Sequence, residues 1–225
     1  MRRPRVLLLA ATCLILPGVF EMAAATPRAS IEIVAGGAGA LGRGTVGIDW
    51  VAKDGKSARI SIGGRAAGIA WATRLDVHRQ SIVRLGGGVF RVQAIVPPAG
   101  GHRGQVIFAA EPTPDAAALP ADAIVLTTSD VLRLGGPEIE DMTALRIAAF
   151  APDDRAPAAA TVEWWPGALE RADADPASVK QAELRAGAQA TVGGMALRAL
   201  AVEGATAEHP AGLVLEVIAG RTQKP

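Results

Sequence analysis

Two residues apart in Leu75-Asp76-Val77-His78 stand a carboxylate and an imidazole, the groups from which a general base with its orienting acid, or two ligands of a metal ion, can be built. On a strand, residues two apart share a face, so the pair would point the same way. No third polar partner is visible in the sequence, and two ligands do not make a metal site. His102 and His209 lie in loop-like stretches beside Gly, Arg or Pro, where an exposed imidazole is ordinary.

Other chemistry finds less support. No serine stands in Gly-x-Ser-x-Gly, the setting of an activated nucleophile. The carboxylate pairs Glu138/Glu140/Asp141, Asp153/Asp154 and Asp173/Asp175 fall in polar or Pro-flanked stretches and read as solvated turns rather than as an acid and base across a cleft. Gly36-Gly37, Gly86-Gly87-Gly88 and Gly193-Gly194 lack the Gly-Lys-Ser/Thr ending of a phosphate loop and the strand-to-helix setting of a dinucleotide site, and read as hairpin turns. No catalytic residue, metal ligand or cofactor is therefore assigned.

Two features point to binding. Trp164 and Trp165 are adjacent, and on a strand adjacent side chains face opposite ways. One indole can fill a core while the other faces outward as an anchor for a protein or a glycan, with burial of both as the plainer alternative. Arg91, Arg146 and Arg198 recur in one pattern and would line a sheet face, either as an anion-binding row or as solvating side chains whose stems cover apolar neighbours.

The elements that must position these residues are strands. Gly and Pro punctuate the chain densely and the segments between are short. Thr45 to Val51 and Ala58 to Ile62 alternate in the two-residue period around Asp54-Gly55, which predicts a hairpin, since Gly accepts the positive φ of a tight turn. A pattern with a period near 50 residues follows. Arg84-Leu85-Gly86 recurs as Arg133-Leu134-Gly135 and more loosely as Arg185-Ala186-Gly187, each followed by a strand of one type: Phe90 to Ile95, Leu145 to Phe150, and Leu197 to Val202. Partner strands are expected at Val106-Ile107-Phe108, Val162-Glu163-Trp164 and Val214-Leu215-Glu216, and Ile33 to Ile62 reads as a more degenerate fourth copy. Chance matching in an Ala/Gly/Arg-rich chain would look similar. Pro137 to Phe150 carries a competing helical spacing, overruled by the repeat in its second half, and Asp175-Pro176 predicts a helix start running to Leu184.

Three prolines between Pro112 and Pro120 mark a linker, because Pro cannot sit inside a ladder. The expected fold is all-β: two small sandwich or barrel-like modules of repeated hairpins, residues 26–112 and 123–225, joined by a Pro/Ala linker at 113–122. The alternative is one three-fold, trefoil-like domain over about 81–220.

The N-terminus has a purpose of its own. Arg2, Arg3 and Arg5 precede an apolar run from Val6 to Phe20, and Ala23 and Ala25 supply the small side chains of a cleavage site after Ala25. The run is short of the roughly 20 residues a spanning helix needs. Cleavage removes three of the 23 basic and one of the 22 acidic residues, so the net charge moves from +1 to −1, and the only cysteine, Cys13, goes with it. The sequence thus predicts an exported protein, periplasmic or secreted, without disulfides, without a membrane span after processing and without the basic surface that nucleic acid requires. Its expected role is that of a β-rich binding or assembly accessory protein of a bacterial-type envelope. A hydrolase-like enzyme built on Asp76/His78 and a structural envelope repeat are the alternatives.

Overall fold

In the computed structural model, residues 30–85, 88–112, 120, 122–128, 130–136, 141–167, 170–207 and 209–219 are described. The predicted signal segment with Cys13 and Ala25, most of the linker, and Pro137 to Glu140 lie outside them. The described chain is all-β, with strands β1 (Ser30–Val34), β2 (Ala38–Leu41), β3 (Gly44–Val51), β4 (Ser57–Ala66), β5 (Ile69–His78), β6 (Ile82–Leu85), β7 (Gly88–Val96) and β8 (Gln105–Ala110) in its first half. The second half has β9 (Ile124–Thr127), β10 (Leu132–Gly135), β11 (Thr143–Ala151), β12 (Ala159–Pro166), β13 (Lys180–Leu184), β14 (Gln189–Val192), β15 (Met195–Glu203) and β16 (Gly212–Ala219). No helix among the described residues is long and apolar enough to cross a membrane.

The two halves are wired alike. In the first, β1 pairs with the last strand in the order β1-β8-β7-β6, while β2 to β5 form a meander; in the second, β9 pairs with the last strand in the order β14-β15-β16-β9, while β10 to β13 form a meander. The meanders meet edge to edge, so β13-β12-β11-β10-β5-β4-β3-β2 is one antiparallel sheet of eight strands. The joint is three residue pairs long: Arg133 with Ala72, Leu134 with Trp71, and Gly135 with Ala70.

Within each half two short-long-partner meanders occur, and each of the four carries a register shift in its long strand: between Ile48 and Trp50, Val92 and Ala94, Ile147 and Ala149, and Ala199 and Ala201. An extra residue bends and twists a strand. The bulges thus curl both sheets of each half around their apolar faces.

Alternation explains which face is buried. In β4, Ala58, Ile60 and Ile62 point inward while Arg59 and Ser61 point out; in β10, Leu132 and Leu134 point inward and Arg133 out. The inward residues join one apolar cluster extending from Ile33 to Val217 through both halves. The division expected between 112 and 123 falls between β8 and β9, but a shared sheet and a shared core cross it.

The local expectations fare differently. The hairpin around Asp54-Gly55 forms, with Gly55 at φ +67°. Arg185-Ala186-Gly187, the loose match to the repeated tripeptide, is the turn between β13 and β14, with Gly187 at φ +84°, whereas Arg84-Leu85 and Arg133-Leu134 lie in β6 and β10. Asp175 does cap a turn, its carboxylate accepting from the Ala177 N–H at 3.0 Å, yet the turn is a 3-10 turn of three residues, Pro176–Ser178, and the segment to Leu184 runs on as β13. Its residues pair with β12, and that ladder overrides local helical preference. A three-fold arrangement over 81–220 is not the order of the strands, because β2 to β5 belong to the same sheet as β10 to β13.

Leu134 is fully buried at the joint. Leu134→Ala is expected to destabilise the protein by about 2–5 kcal/mol through the cavity it leaves. Because the core is continuous, circular dichroism and tryptophan fluorescence should fall together in one denaturant transition, and a split into two transitions would show that the halves unfold independently.

Candidate functional site

The eight-stranded sheet has an uneven middle. β10 contributes only four residues, whereas its neighbours β5 and β11 run on to His78 and Ala151. Where β10 is missing, Thr128, Asp130 and Val131 border a notch of about 300 Å³ on the outer face of the sheet. Four arginines line it: Arg59 from β4, Arg74 from β5, Arg133 from β10 and Arg146 from β11. The register explains the convergence. Val131, one step before β10, lies between Arg74 and Arg146 when the β5–β10 and β10–β11 pairings are extended.

Each guanidinium is braced by a carboxylate. Arg59 gives Asp76 two hydrogen bonds, at 2.8 and 2.7 Å, and Arg146 gives Glu163 one at 2.9 Å from Nε. Arg133 reaches Glu170 at 2.8 Å, and Arg74 stands 3.4 Å from Asp49, the bulge residue of β3, which also accepts from Ser61. Asp76, Asp49 and Glu163 do not line the notch; Asp130 and Glu170 do. A guanidinium has five N–H donors in a fixed fork, so one held from behind by a carboxylate keeps donors for a second anion. The loop after β12 closes one side: Glu170 bonds Arg133, and Arg171 bonds Glu163 at 3.3 Å.

The carboxyls divide by position. Hydrogen bonds from Arg59 hold Asp76 below the usual carboxylate range. Burial alone would push Glu163 up, but hydrogen bonds from Arg146 and Gln181 and the charge of Arg146 outweigh it and hold it down. Asp130 goes the other way: burial raises it to about 6, against a hydrogen bond from the Val131 N–H and the charges of Arg59 and Arg74.

The other side of the same joint is apolar. On the inner face, Trp71, Thr73 and Val77 of β5, with Ile82 and Leu85 of β6 and Val125 of β9, line a narrow cleft of about 60 Å³ between the halves. Arg84 of β6 and Glu203 of β15 span it with three hydrogen bonds of 2.8 to 3.0 Å.

The residues singled out from sequence are distributed as follows. Asp76 and His78 share a face but not a hydrogen bond, since Asp76 is taken by Arg59 and the His78 ring meets the Lys56 carbonyl at 3.2 Å. Trp165 is fully buried under the loop with Ala144 and Ala174, and Trp164 is half-buried against the main core, so neither indole stands out as an exposed anchor. Of the repeated arginines, only Arg146 lines the notch; Arg91 pairs with Glu111 and Arg198 with Glu216 on the other two sheets. Arg59, Arg74, Arg133 and Asp130 were not among the sequence candidates, and the notch depends on a pairing between distant strands. No group of three His, Cys, Asp or Glu placed to hold a metal ion occurs among the described residues. No protein-family model matches the chain, and no curated protein or solved structure matches it either.

The raised Asp130 sets a sign. A carboxyl that holds its proton more tightly folded than unfolded stabilises the fold at low pH, and that contribution is lost as pH rises from about 3.8 to about 6. Asp130→Asn is therefore expected to raise stability at pH 7 by about 1 kcal/mol, less than the full shift because solvent reaches and screens the half-buried side chain, and to leave it unchanged at pH 3. Urea unfolding at both pH values checks this, and an equal effect at the two would refute it.

Proposed function

We propose that the protein is an exported binding protein that captures an anionic group of a protein or glycan partner, a carboxylate or a phosphate, in the arginine notch. One observation carries the reading: four guanidiniums from four neighbouring strands converge on a single cavity whose lining holds only two carboxylates. Arginine suits this task because its planar fork matches carboxylate and phosphate oxygens in pairs, and the carboxylates behind Arg59, Arg74 and Arg146 fix those forks before the ligand arrives. Pre-oriented donors lose little entropy on binding. The notch is also large enough for a small oxyanion or one uronic acid, whereas a water-filled gap between strands would not demand cations from both sides.

Export rests on the first 25 residues. Three arginines, an apolar run and an Ala-x-Ala ending follow one another in the order of a cleaved leader. An extracytoplasmic setting agrees with a mature chain free of cysteine, since nothing in it depends on a reducing compartment.

Calorimetric titration of the mature chain with inorganic phosphate, citrate and oligogalacturonate tests the binding. At least one should bind saturably, more weakly at higher salt, and Arg74→Gln should lose about tenfold in affinity. Unchanged affinity in an Arg74→Gln/Arg146→Gln double variant would overturn the assignment to the notch. For export, N-terminal sequencing of protein from expressing cells is expected to start at Thr26, and a start before residue 20 would refute it.

A further inference from the structure

A second site lies on the inner side of the joint, with a chemistry opposite to that of the notch. Thr73 projects from β5 into the apolar cleft, is 3% exposed, and its Oγ1 has no hydrogen-bond partner. A buried hydroxyl almost always finds a partner, because removing it from water unpaired is costly. Valine has the same shape without that cost, so a threonine at this position calls for a polar atom that comes from outside the chain.

The surroundings specify that atom's carrier. Trp71, Leu75, Ile82, Leu85 and Val125 give the cleft a mainly apolar wall, with Ser81 and Thr127 as its other hydroxyls. Of the ionisable side chains that border the cleft, Arg84 and Glu203 are locked to each other by three hydrogen bonds and cancel, Asp76 is held by two hydrogen bonds from Arg59, and the His209 ring stands 3.1 Å from the Pro210 carbonyl. An ion entering here would have to break that pair or lose its water without compensation. Size is set by the free space of about 60 Å³. A single water needs roughly 10–15 Å³ by this measure, so the cleft takes about four to six heavy atoms.

We infer that the cleft is a binding site for a small neutral molecule with a short branched alkyl body and one hydrogen-bonding oxygen, which is received by the Thr73 hydroxyl. The site is separate from the notch: β5 alternates, sending Thr73 inward and Arg74 outward. It therefore stands whether or not the notch binds anions.

Isobutanol, with five heavy atoms, is the probe. Titrated into isotopically labelled mature protein and followed by NMR, it is expected to shift the Trp71 indole and Thr73 methyl signals saturably, with a Kd of about 1–10 mM for a ligand of this size. Isobutylammonium, the same shape with a charge, should leave them in place. Thr73→Val should weaken isobutanol about tenfold and Thr73→Ser, which restores the hydroxyl, should bind within a few-fold of the parent. Both variants are close in size to threonine, and their unchanged spectra away from the cleft report that they fold. Shifts that stay linear in isobutanol, or equal affinity in parent and Thr73→Val, would reduce the cleft to a pocket of water and overturn the inference.

Discussion

Three residue pairs between β5 and β10 turn two similar half-structures into one protein. Each half has a four-stranded meander with two edge strands, β2 and β5 in one and β10 and β13 in the other, and an unpaired edge is a template for another chain. Pairing β5 with β10 removes one edge from each meander and leaves β2 and β13 at the ends of the sheet, joins the apolar residues of both halves in one cluster and places Leu134 opposite Trp71 at the centre. The shortness of the joint is as consequential as its existence. Had β10 matched the length of β5, the sheet would close over the gap where Asp130 and four arginines now meet.

What could be read along the chain was what local spacing controls. Asp54-Gly55 forms its turn because Gly55 needs a positive φ, and the hexapeptides from Phe90, Leu145 and Leu197 form long strands because their alternation already separates a buried from a solvated face. The bulge that each carries falls at the fourth residue of the hexapeptide, Gln93, Ala148 and Leu200, which interrupts the strict alternation and helps to explain why the three segments look alike. Arg84-Leu85 and Arg133-Leu134 lie in β6 and β10, whereas the looser match Arg185-Ala186-Gly187 lies in no strand. Three residues resembling a strand end carry no information on whether a partner strand is near, and here Gly187 turns the chain instead. The short 3-10 turn at Pro176 shows the converse: capping chemistry fixed its start, and pairing with β12 fixed where it stops.

The site was less legible because it is made by distant strands. Asp76 and His78 share a face as their spacing requires, but the face also carries Arg59 from β4, and a charge-assisted two-point contact with a guanidinium is stronger than one with an imidazole. Nothing in Leu75 to His78 announces a competitor 17 residues upstream. Trp165 was conspicuous for its type, yet aromatic side chains on a partly covered sheet face are the first to be roofed over, and the loop carrying Ala174 does so. Arg146 alone was visible in advance, as one of three repeated arginines, and what distinguishes it from Arg91 and Arg198 is only that its sheet continues across the joint.

The opposite behaviour of the carboxyls around the notch follows from where each stands relative to the guanidiniums. Asp76 and Glu163 sit behind them, accept their hydrogen bonds and stay ionised, so they act as fixed struts. Asp130 lines the cavity itself, receives one backbone hydrogen bond and pays for burial with a raised affinity for its proton. An anion in the notch and the negative form of Asp130 compete for the charges of Arg59 and Arg74. Reciprocity of coupled equilibria then ties the two together: an anion that enters favours the protonated carboxyl, and a proton on Asp130 favours the anion by the same factor. Of the two carboxyls that line the cavity, Asp130 and Glu170, Asp130 is thus the one whose proton an anion in the notch would favour.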